Sequence, residues 1–384
     1  MPRTYEENPF TPTFGITPPL LVGRDAEIAA VRRSLTRGPG DPARAVLLTG
    51  ARGTGKTVLL NALEDAASQQ GWAVISETVQ PGLVEVLTRT TLPMLRAALD
   101  PRATDSTLTS ASATVFGIGG ALTRQVSERH PAEPSLRDGL ESLARIQADR
   151  GSGVFISLDE VHRHEIAQIT PLFHAIQHCF RQGLPVAFVA AGLPSTVSRL
   201  LSDSVVTYLR RAERFALGTL PDALVRAALR EPILRAGRSI SPDALDRAAD
   251  AVHGYPFLIQ VVGFELWEVD PGTAHIGADA VDVALVRAVK TANRLVHEPA
   301  LADLSDADRR FLAAMARIPG EPVRLADILE RLGATRDHVN KYRARLIAAE
   351  IIEPAGRGLI RFAIPFLSEY LRSLGTEAAG SEDG

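Results

Sequence analysis

The sequence predicts an α/β core, a parallel sheet with helices on both faces, followed by an all-helical segment and a C-terminal unit with the winged-helix pattern. Three observations predict it. A short apolar strand, Ala45–Thr49, runs into a glycine-rich turn and then into a helix with apolar Val58, Leu59, Leu60 and Leu63. Strands and helices alternate from there to Phe215–Leu217, and such alternation packs as a parallel sheet. After Pro221 no strand signal appears for some 80 residues, until two short β patterns close the chain.

Residues 1–20 carry five prolines and read as an extended N-terminal arm; Arg24–Arg37 follows with helical spacing, ended by Gly38-Pro39-Gly40-Asp41-Pro42. Beyond the first strand and helix, Trp72–Val79 reads as a strand and Leu83–Leu99 as a helix. Residues 100–134, rich in Ser, Thr, Ala and Gly, read as an insertion. Leu136–Ala148 is helical, Val154–Leu158 and Pro185–Ala191 are buried strands, and a helix around Ile166–Phe180 separates them. Helices are expected over 222–236, 242–253, 256–269 and 278–296, with Ser241-Pro242 as cap and first turn. Glu298-Pro299 reads as a linker. The terminal unit has helices near 306–317, 324–332 and 336–349, the first and third capped by Ser305 and Thr335. Strands Ile351–Glu353 and Leu359–Phe362 follow, joined by Pro354-Ala355-Gly356-Arg357-Gly358. The implied units are 1–20, a core over 21–221, a helical lid over 222–297, a winged helix over 300–374 and a flexible tail over 375–384.

The 384 residues carry 45% hydrophobic and 23% charged side chains and a net charge of −3, an ordinary balance for a globular chain. Any nucleic-acid contact must therefore come from a local basic patch. One cysteine, Cys179, excludes an intramolecular disulfide and a cysteine-based zinc site and suits a reducing compartment. The N-terminus lacks the apolar core of a signal peptide, and no apolar run is long enough for a bilayer. The expectation is a cytoplasmic protein with no membrane partner.

The chemistry is concentrated in Gly50-Ala51-Arg52-Gly53-Thr54-Gly55-Lys56-Thr57, a phosphate-binding P-loop. Gly50, Gly53 and Gly55 let backbone N–H groups converge on phosphate oxygens. Lys56 supplies a compact positive charge for the β/γ-phosphates, and Thr57 a hydroxyl for Mg²⁺. Of 42 basic residues only Lys56, Lys290 and Lys341 are lysines. A lysine where the loop needs an ammonium rather than a broad guanidinium is therefore informative. Some hundred residues on, the strand Val154–Leu158 ends in Asp159-Glu160. Asp159 suits the Mg²⁺ shell, and Glu160 suits the base that orients and deprotonates an attacking water. The implied cofactors are Mg²⁺ and ATP, giving ADP, or a close nucleotide relative.

The P-loop, the Asp159-Glu160 pair, Leu21-Val22-Gly23-Arg24-Asp25, the helical lid and the terminal winged helix together resemble a AAA+ ATPase of the Orc1/Cdc6-like group, over roughly residues 21–372. The resemblance implies a P-loop NTPase core, ATP as ligand, and an adenine pocket bordered by Val22, Gly23 and Arg24. It departs at two places. The strand 185–191 ends in Ala190-Ala191-Gly192 with no polar sensor, and the lid has no clear sensor arginine. Instead Gly254-Tyr255-Pro256 resembles the Gly-x-Pro motif of STAND signalling ATPases, which adds Tyr255 and Pro256 to the nucleotide pocket and favours slow, switch-like hydrolysis. Among Arg210, Arg211 and Arg214, placed where this superfamily carries a finger for a neighbour's γ-phosphate, Arg211 is favoured; a finger in trans implies self-association through the core.

Over residues 336–361 six Lys/Arg face Asp337, Glu350 and Glu353. Arg336, Asn340 and Arg343 share one helical face; with Lys341 and the wing residue Arg357 they suit double-stranded DNA. Two alternatives stand beside a DNA-binding ATPase: a STAND-like regulator whose winged helix contacts protein or its own core, and a nucleotide-binding scaffold. His162, His164, His174 and His178 lack the spacing of a metal motif and read as ordinary helix residues.

Overall fold

A computed structural model describes residues 8–13, 16–18, 20–99, 135–161, 166–202, 207–349 and 351–380. The expected insertion over 100–134, and His162 and His164, lie outside them.

The core opens with α1 (Asp25–Arg37), β1 (Ala45–Gly50) and α2 (Lys56–Gln69). It continues with β2 (Ala73–Thr78), α3 (Leu83–Val86) and α4 (Leu92–Leu99), joined without a break by a π-helical turn over Leu87–Thr91. Then come α5 (Leu136–Asp149), β3 (Val154–Val161), α6 (Ile166–Arg181), β4 (Val186–Gly192), α7 (Pro194–Ser202) and β5 (Glu213–Leu217). The five strands form one all-parallel sheet in the order β2-β3-β4-β1-β5. Alternation along each strand feeds two cores. Leu47, Ile156 and Phe188 face α5 and α6, while Val46, Leu48, Phe155 and Ala187 face α1 and α2. Burial on both faces explains why these strands read as continuous apolar runs.

The helical segment comprises α8 (Asp222–Arg235), α9 (Pro242–Val252), α10 (Pro256–Val269) and α11 (Ala278–Ala292) around its own core, including Leu229, Val252, Val262 and Trp267; α12 (Glu298–Ala302) follows and packs through Leu301 into the next core. Ser241 caps α9 through the Ala244 amide at 3.2 Å, with Pro242 in the first turn as expected. Two features differ from expectation. A parallel pair of two-residue strands, β6 (Ser239–Ile240) and β7 (His275–Ile276), ties the loops together. Glu298-Pro299 is no linker, because a π-helical turn over Asn293–His297 carries α11 into α12. Proline is tolerated there because the first turn needs no amide from it.

The C-terminal unit contains α13 (Asp306–Ala316), β8 (Val323–Arg324), α14 (Leu325–Leu332), α15 (Arg336–Ala348), β9 (Ile352–Gly356), β10 (Leu359–Phe362) and α16 (Leu367–Gly380). A capping box of Ser305 and Asp308 starts α13. Thr335 takes the N-cap position of α15, but its hydroxyl meets His338 Nδ1 at 3.3 Å instead of capping. The sheet order is β8-β10-β9, antiparallel throughout, so β8 adds a strand to the expected hairpin. Residues 375–380 of the expected flexible tail are helical, since α16 runs on to Gly380; 381–384 lie outside the described residues. Leu367 and Leu371 anchor that helix in a core with Phe311, Leu346 and Ile360. Among the described residues no helix is long and apolar enough to cross a membrane.

Candidate nucleotide site

β1 delivers the chain to Gly50 at the C-terminal edge of the sheet, and the loop turns back through Gly53 (φ 74°) and Gly55 (φ 89°) into the N-terminus of α2. Both angles favour glycine, and the turn aims the first amides of α2 at one point, the arrangement that binds phosphate. Lys56 folds over the loop, donating from Nζ to the carbonyls of Gly50 and Ala51, each at 2.9 Å. Thr54, buried, closes the turn through Oγ1 to the Ala51 carbonyl at 2.8 Å. Arg52 is exposed at the tip.

β3 brings the two carboxylates to this loop. Its pairing with β4 slips between Leu158 and Val161, and within that irregularity Glu160 adopts a left-handed φ of 53°. The slip turns two residues out of the ladder at the strand end, a placement bulges commonly serve beside functional sites. Thr57 Oγ1 then donates to Asp159 Oδ2 at 2.7 Å, across 102 residues of sequence. Asp159 Oδ1 accepts from the Glu160 amide at 2.8 Å, and the Glu160 side chain is exposed. Behind them Glu64 of α2 accepts from Ser157 on β3 and Ser76 on β2, holding the helix square on the sheet. Hydroxyl and carboxylate are oxygen donors that suit a hard divalent cation such as Mg²⁺.

The helical segment covers the loop. The Phe257 amide donates to the Gly53 carbonyl at 3.1 Å, and a Cβ on Gly53 would lie 2.6 Å from the Tyr255 hydroxyl. Tyr255 is buried, which pushes its pKa above the ordinary phenolic value. Pro256 occupies the first turn of α10, and the Gly254 carbonyl accepts from the Leu220 amide at 2.7 Å. On another side Arg24, buried, donates to the Gly218 carbonyl at 3.3 Å, and burial lowers its pKa against the opposing pull of Glu27. Val22 packs on the helical-segment core, and Gly23 sits against Leu224. Tyr255 thus meets the loop at Gly53, while Val22, Gly23 and Arg24 pack on the helical segment and on Gly218 after β5.

Arg211 does not join them. It lies in a 3₁₀ turn before the N-terminal end of β5, exposed, whereas the P-loop leaves the C-terminal end of the paired β1. Four strand residues separate the two levels, about 13 Å, so Arg211 lies at the opposite end of the strand pair from its own loop. Its neighbour Arg210 is bound to the Leu201 carbonyl at 2.9 Å. His174 is exposed, and His178 pairs with Glu141 at 2.8 Å.

Sequence reading missed the third wall. A cavity of about 330 Å³ is bounded by Gly50, Ala51 and Thr54 on one side and by Glu353, Arg361 and Phe366 of the C-terminal unit on the other. Phe366 (φ 60°) stacks on His253 (φ 49°) with ring centroids 5.6 Å apart and meets Tyr255 edge-on at 6.1 Å. Arg361 donates from Nε to Glu353 Oε1 at 2.6 Å. Two non-glycine residues in left-handed backbone facing each other were the detectable geometric signal, and no sequence motif encodes it. The C-terminal unit leaves Arg336, Asn340, Lys341 and Arg357 exposed, whereas Arg343 is half-buried with its Nε enclosed and unpaired.

Comparison with known proteins gives this geometry a place. Residues 20–189 match the AAA ATPase domain. Residues 294–371 match a family described as a domain of unknown function (DUF8462). No curated protein matches the chain by sequence. Among solved structures, a Walker-type ATPase of Pyrococcus abyssi superposes with a TM-score of 0.59 at 17% identity, covering 92% of this chain and 96% of its own. The ORC2 protein of Aeropyrum pernix, solved in ADPNP–ADP complexes, gives 0.57 at 15% identity with 97% of each chain covered. At such identities the likeness shows a shared fold. The AAA match spans the P-loop and the Asp159-Glu160 edge; the remaining walls of the site lie beyond it.

Proposed function

We propose that the protein is an ATP-binding, slowly hydrolysing molecular switch of Orc1/Cdc6-like AAA+ type whose C-terminal winged helix contacts double-stranded DNA. The observation that carries the nucleotide reading is the 2.7 Å contact of Thr57, one residue after Lys56 at the start of α2, with Asp159 at the end of β3, two groups 102 residues apart in sequence. Lys56, with the amides of residues 53–57, would hold the phosphates. Thr57 and Asp159 would hold Mg²⁺, which when bound neutralises charge on the β- and γ-phosphates. Glu160, exposed at the strand end, orients and deprotonates the attacking water. β4 ends in Ala190-Ala191-Gly192 without a polar side chain, which supports slow turnover. Arg211, exposed at the other end of the β1–β5 pair from its own loop, would act as a finger on a second copy.

The C-terminal unit offers two sets of residues. Phe366 and Arg361 line the cavity beside the P-loop, and Arg336, Asn340, Lys341 and Arg357 are exposed and outside that lining. The second set supports phosphate-backbone and groove contacts. The first favours the second reading as well, a STAND-like regulator whose terminal unit answers to nucleotide through its own core and passes the signal to protein.

Thermal unfolding tests the central claim. The wild type gains stability with Mg-ATP, by about 2.7 kcal/mol at a hundredfold excess over the dissociation constant. Lys56→Ala keeps the fold and loses the gain. A wild-type melting temperature unmoved by millimolar Mg-ATP overturns the nucleotide reading.

A further inference from the structure

Helix α11 buries one side and leaves a patterned one in solvent. Val281, Ala284, Ala288 and Ala292 are buried, on the side that packs into the helical segment. On the opposite side Asp279, Val283, Val286 and Lys290 are exposed, and their spacing of four, three and four residues sets them in one line along the helix. Val283 is 44% exposed, and Val286 and Val289 are each 60% exposed. Single exposed apolar side chains are ordinary, but three at three-residue spacing make a stripe. Valine is also a poor helix former at solvated positions, where glutamate or lysine would serve better. Nothing in the packing of its own chain accounts for this stripe.

The charges at its ends indicate what covers it. From the N-terminus the line runs acid, valine, valine, base: Asp279, Val283, Val286, Lys290. About its midpoint that order is symmetric in shape and opposite in charge. A second α11 laid antiparallel therefore sets Asp279 beside Lys290 at both ends and Val283 beside Val286 at both middle positions. Laid parallel, it would set acid on acid and base on base. Val289 widens the apolar contact on one flank, and exposed Arg287 and Arg294 add to the basic half. Asp282 adds to the acidic half but is already paired with Arg247 of its own chain. An antiparallel pair of this kind has two-fold symmetry, so one patch serves both copies and the contact closes at two.

We propose that α11 is a self-association surface on which two copies of this chain pair antiparallel, Val283 and Val286 of one against Val286 and Val283 of the other. Asp279 of each copy meets the partner's Lys290. One face of a 15-residue helix buries far less than the ~800 Å² per partner of a standard interface. The dimer is therefore weak, with a Kd on the order of 100 μM. It does not depend on the nucleotide reading, nor on any contact made by Arg211. Charges that served only the dipole of their own helix would leave the chain monomeric.

Sedimentation equilibrium of the full chain over roughly 10–500 μM tests this, with monomer at the low end and dimer populated at the high end. Val286→Glu, at an exposed site, keeps the wild-type melting temperature and weakens association at least tenfold. Asp279→Lys and Lys290→Asp each weaken it roughly tenfold by setting like charges opposite. The double variant, with the charges exchanged, returns to near the wild-type affinity. Carbodiimide should join Asp279 to Lys290 only between chains, since within one helix they stand three turns apart, about 16 Å. A wild type that stays monomeric throughout overturns the inference. So does a double variant no better than the single ones, or a dimer in which that link does not form, because the two faces then do not meet antiparallel.

Discussion

Glu160 carries a conformational cost that its position explains. A non-glycine residue at φ 53° costs of order 1 kcal/mol or more, and here the slip in β3 imposes it on the proposed base. Glu160→Gly should therefore stabilise the fold by about 1 kcal/mol while removing hydrolysis, the exchange of stability for activity expected of a working site. Glu160→Gln should keep nucleotide affinity and lose turnover, because Thr57 and Asp159 are untouched. Phosphate-release assays beside unfolding curves check both; undiminished hydrolysis in either variant would remove Glu160 from its role. His297 makes a second residue-scale case. It is buried, its Nε2 lies 2.9 Å from the Pro365 carbonyl and must donate, and its Nδ1 lies 2.8 Å from the side-chain oxygen Oδ1 of Asn293. Burial lowers its pKa, against the opposing Pro365 carbonyl and Glu369, so the native ring favours the neutral form. Neutral Nδ1 is an acceptor, which requires Asn293 to turn its NH₂ toward the ring. Unfolding frees the ring to protonate from about pH 6.5 downward. The unfolded state then binds more protons, and stability falls with pH below that point. His297→Gln should lose this part of the acid sensitivity; urea titrations at neutral and acid pH giving parallel slopes would refute it. At this scale the P-loop and Asp159-Glu160 were legible because each is a contiguous run whose chemistry is local. His253 and Phe366 were not, because an aromatic ring takes its meaning from a partner more than a hundred residues away.

Elements were legible in proportion to their side-chain periodicity. The core strands and the long helices appeared at nearly their observed bounds because two-sided burial and a 3.6-residue stripe leave a repeating pattern. The paired strands Ser239–Ile240 and His275–Ile276 left none, being two residues each and held by backbone hydrogen bonds. Glu298-Pro299 suggested a break because proline was read as punctuation, while the π turn before it lets the helix continue. Helix Leu367–Gly380 was hidden because its large apolar residues, Leu367, Tyr370, Leu371 and an exposed Leu374, are confined to its first eight residues. The helix Arg336–Ala348 and the hairpin after it carry a prediction at this scale. Arg357→Ala in the wing should weaken binding to all duplex sequences alike and lower the salt slope by about one. Arg336→Ala should cost about 1–3 kcal/mol at one base position if it reads a guanine. Arg343, half-buried, should matter less than either. Gel-shift titrations across salt and sequence check this. No retardation at low salt, with or without ATP, would leave the protein-contact reading.

At the scale of the whole molecule, the boundary between the helical segment and the C-terminal unit lies inside a continuous helix. His297 stacks on Tyr370 at 5.3 Å, and Leu301 belongs to the C-terminal core. A fragment starting at residue 304 forfeits both, whereas one starting at 294, where the DUF8462 match begins, keeps them. The 294–374 fragment should fold cooperatively and exceed 304–374 by about 2–3 kcal/mol, the worth of one buried leucine and a stacked ring. Equal urea midpoints would place the boundary at the later residue. The order of the three units was readable from the loss of strand signal after Pro221, but their mutual contact was not, since Phe366 and Arg361 carry no mark of what they touch.

The scarcity of lysine gives the molecule a built-in reporter set. An amine-reactive reagent meets three side-chain targets, Lys56, Lys290 and Lys341. One is folded against the loop carbonyls of Gly50 and Ala51, one is exposed on the helix Ala278–Ala292, and one is exposed on the helix Arg336–Ala348. On the proposed function, acetylation footprinting by mass spectrometry would read nucleotide occupancy at the first and duplex occupancy at the third. The second serves as the internal standard in the same spectrum.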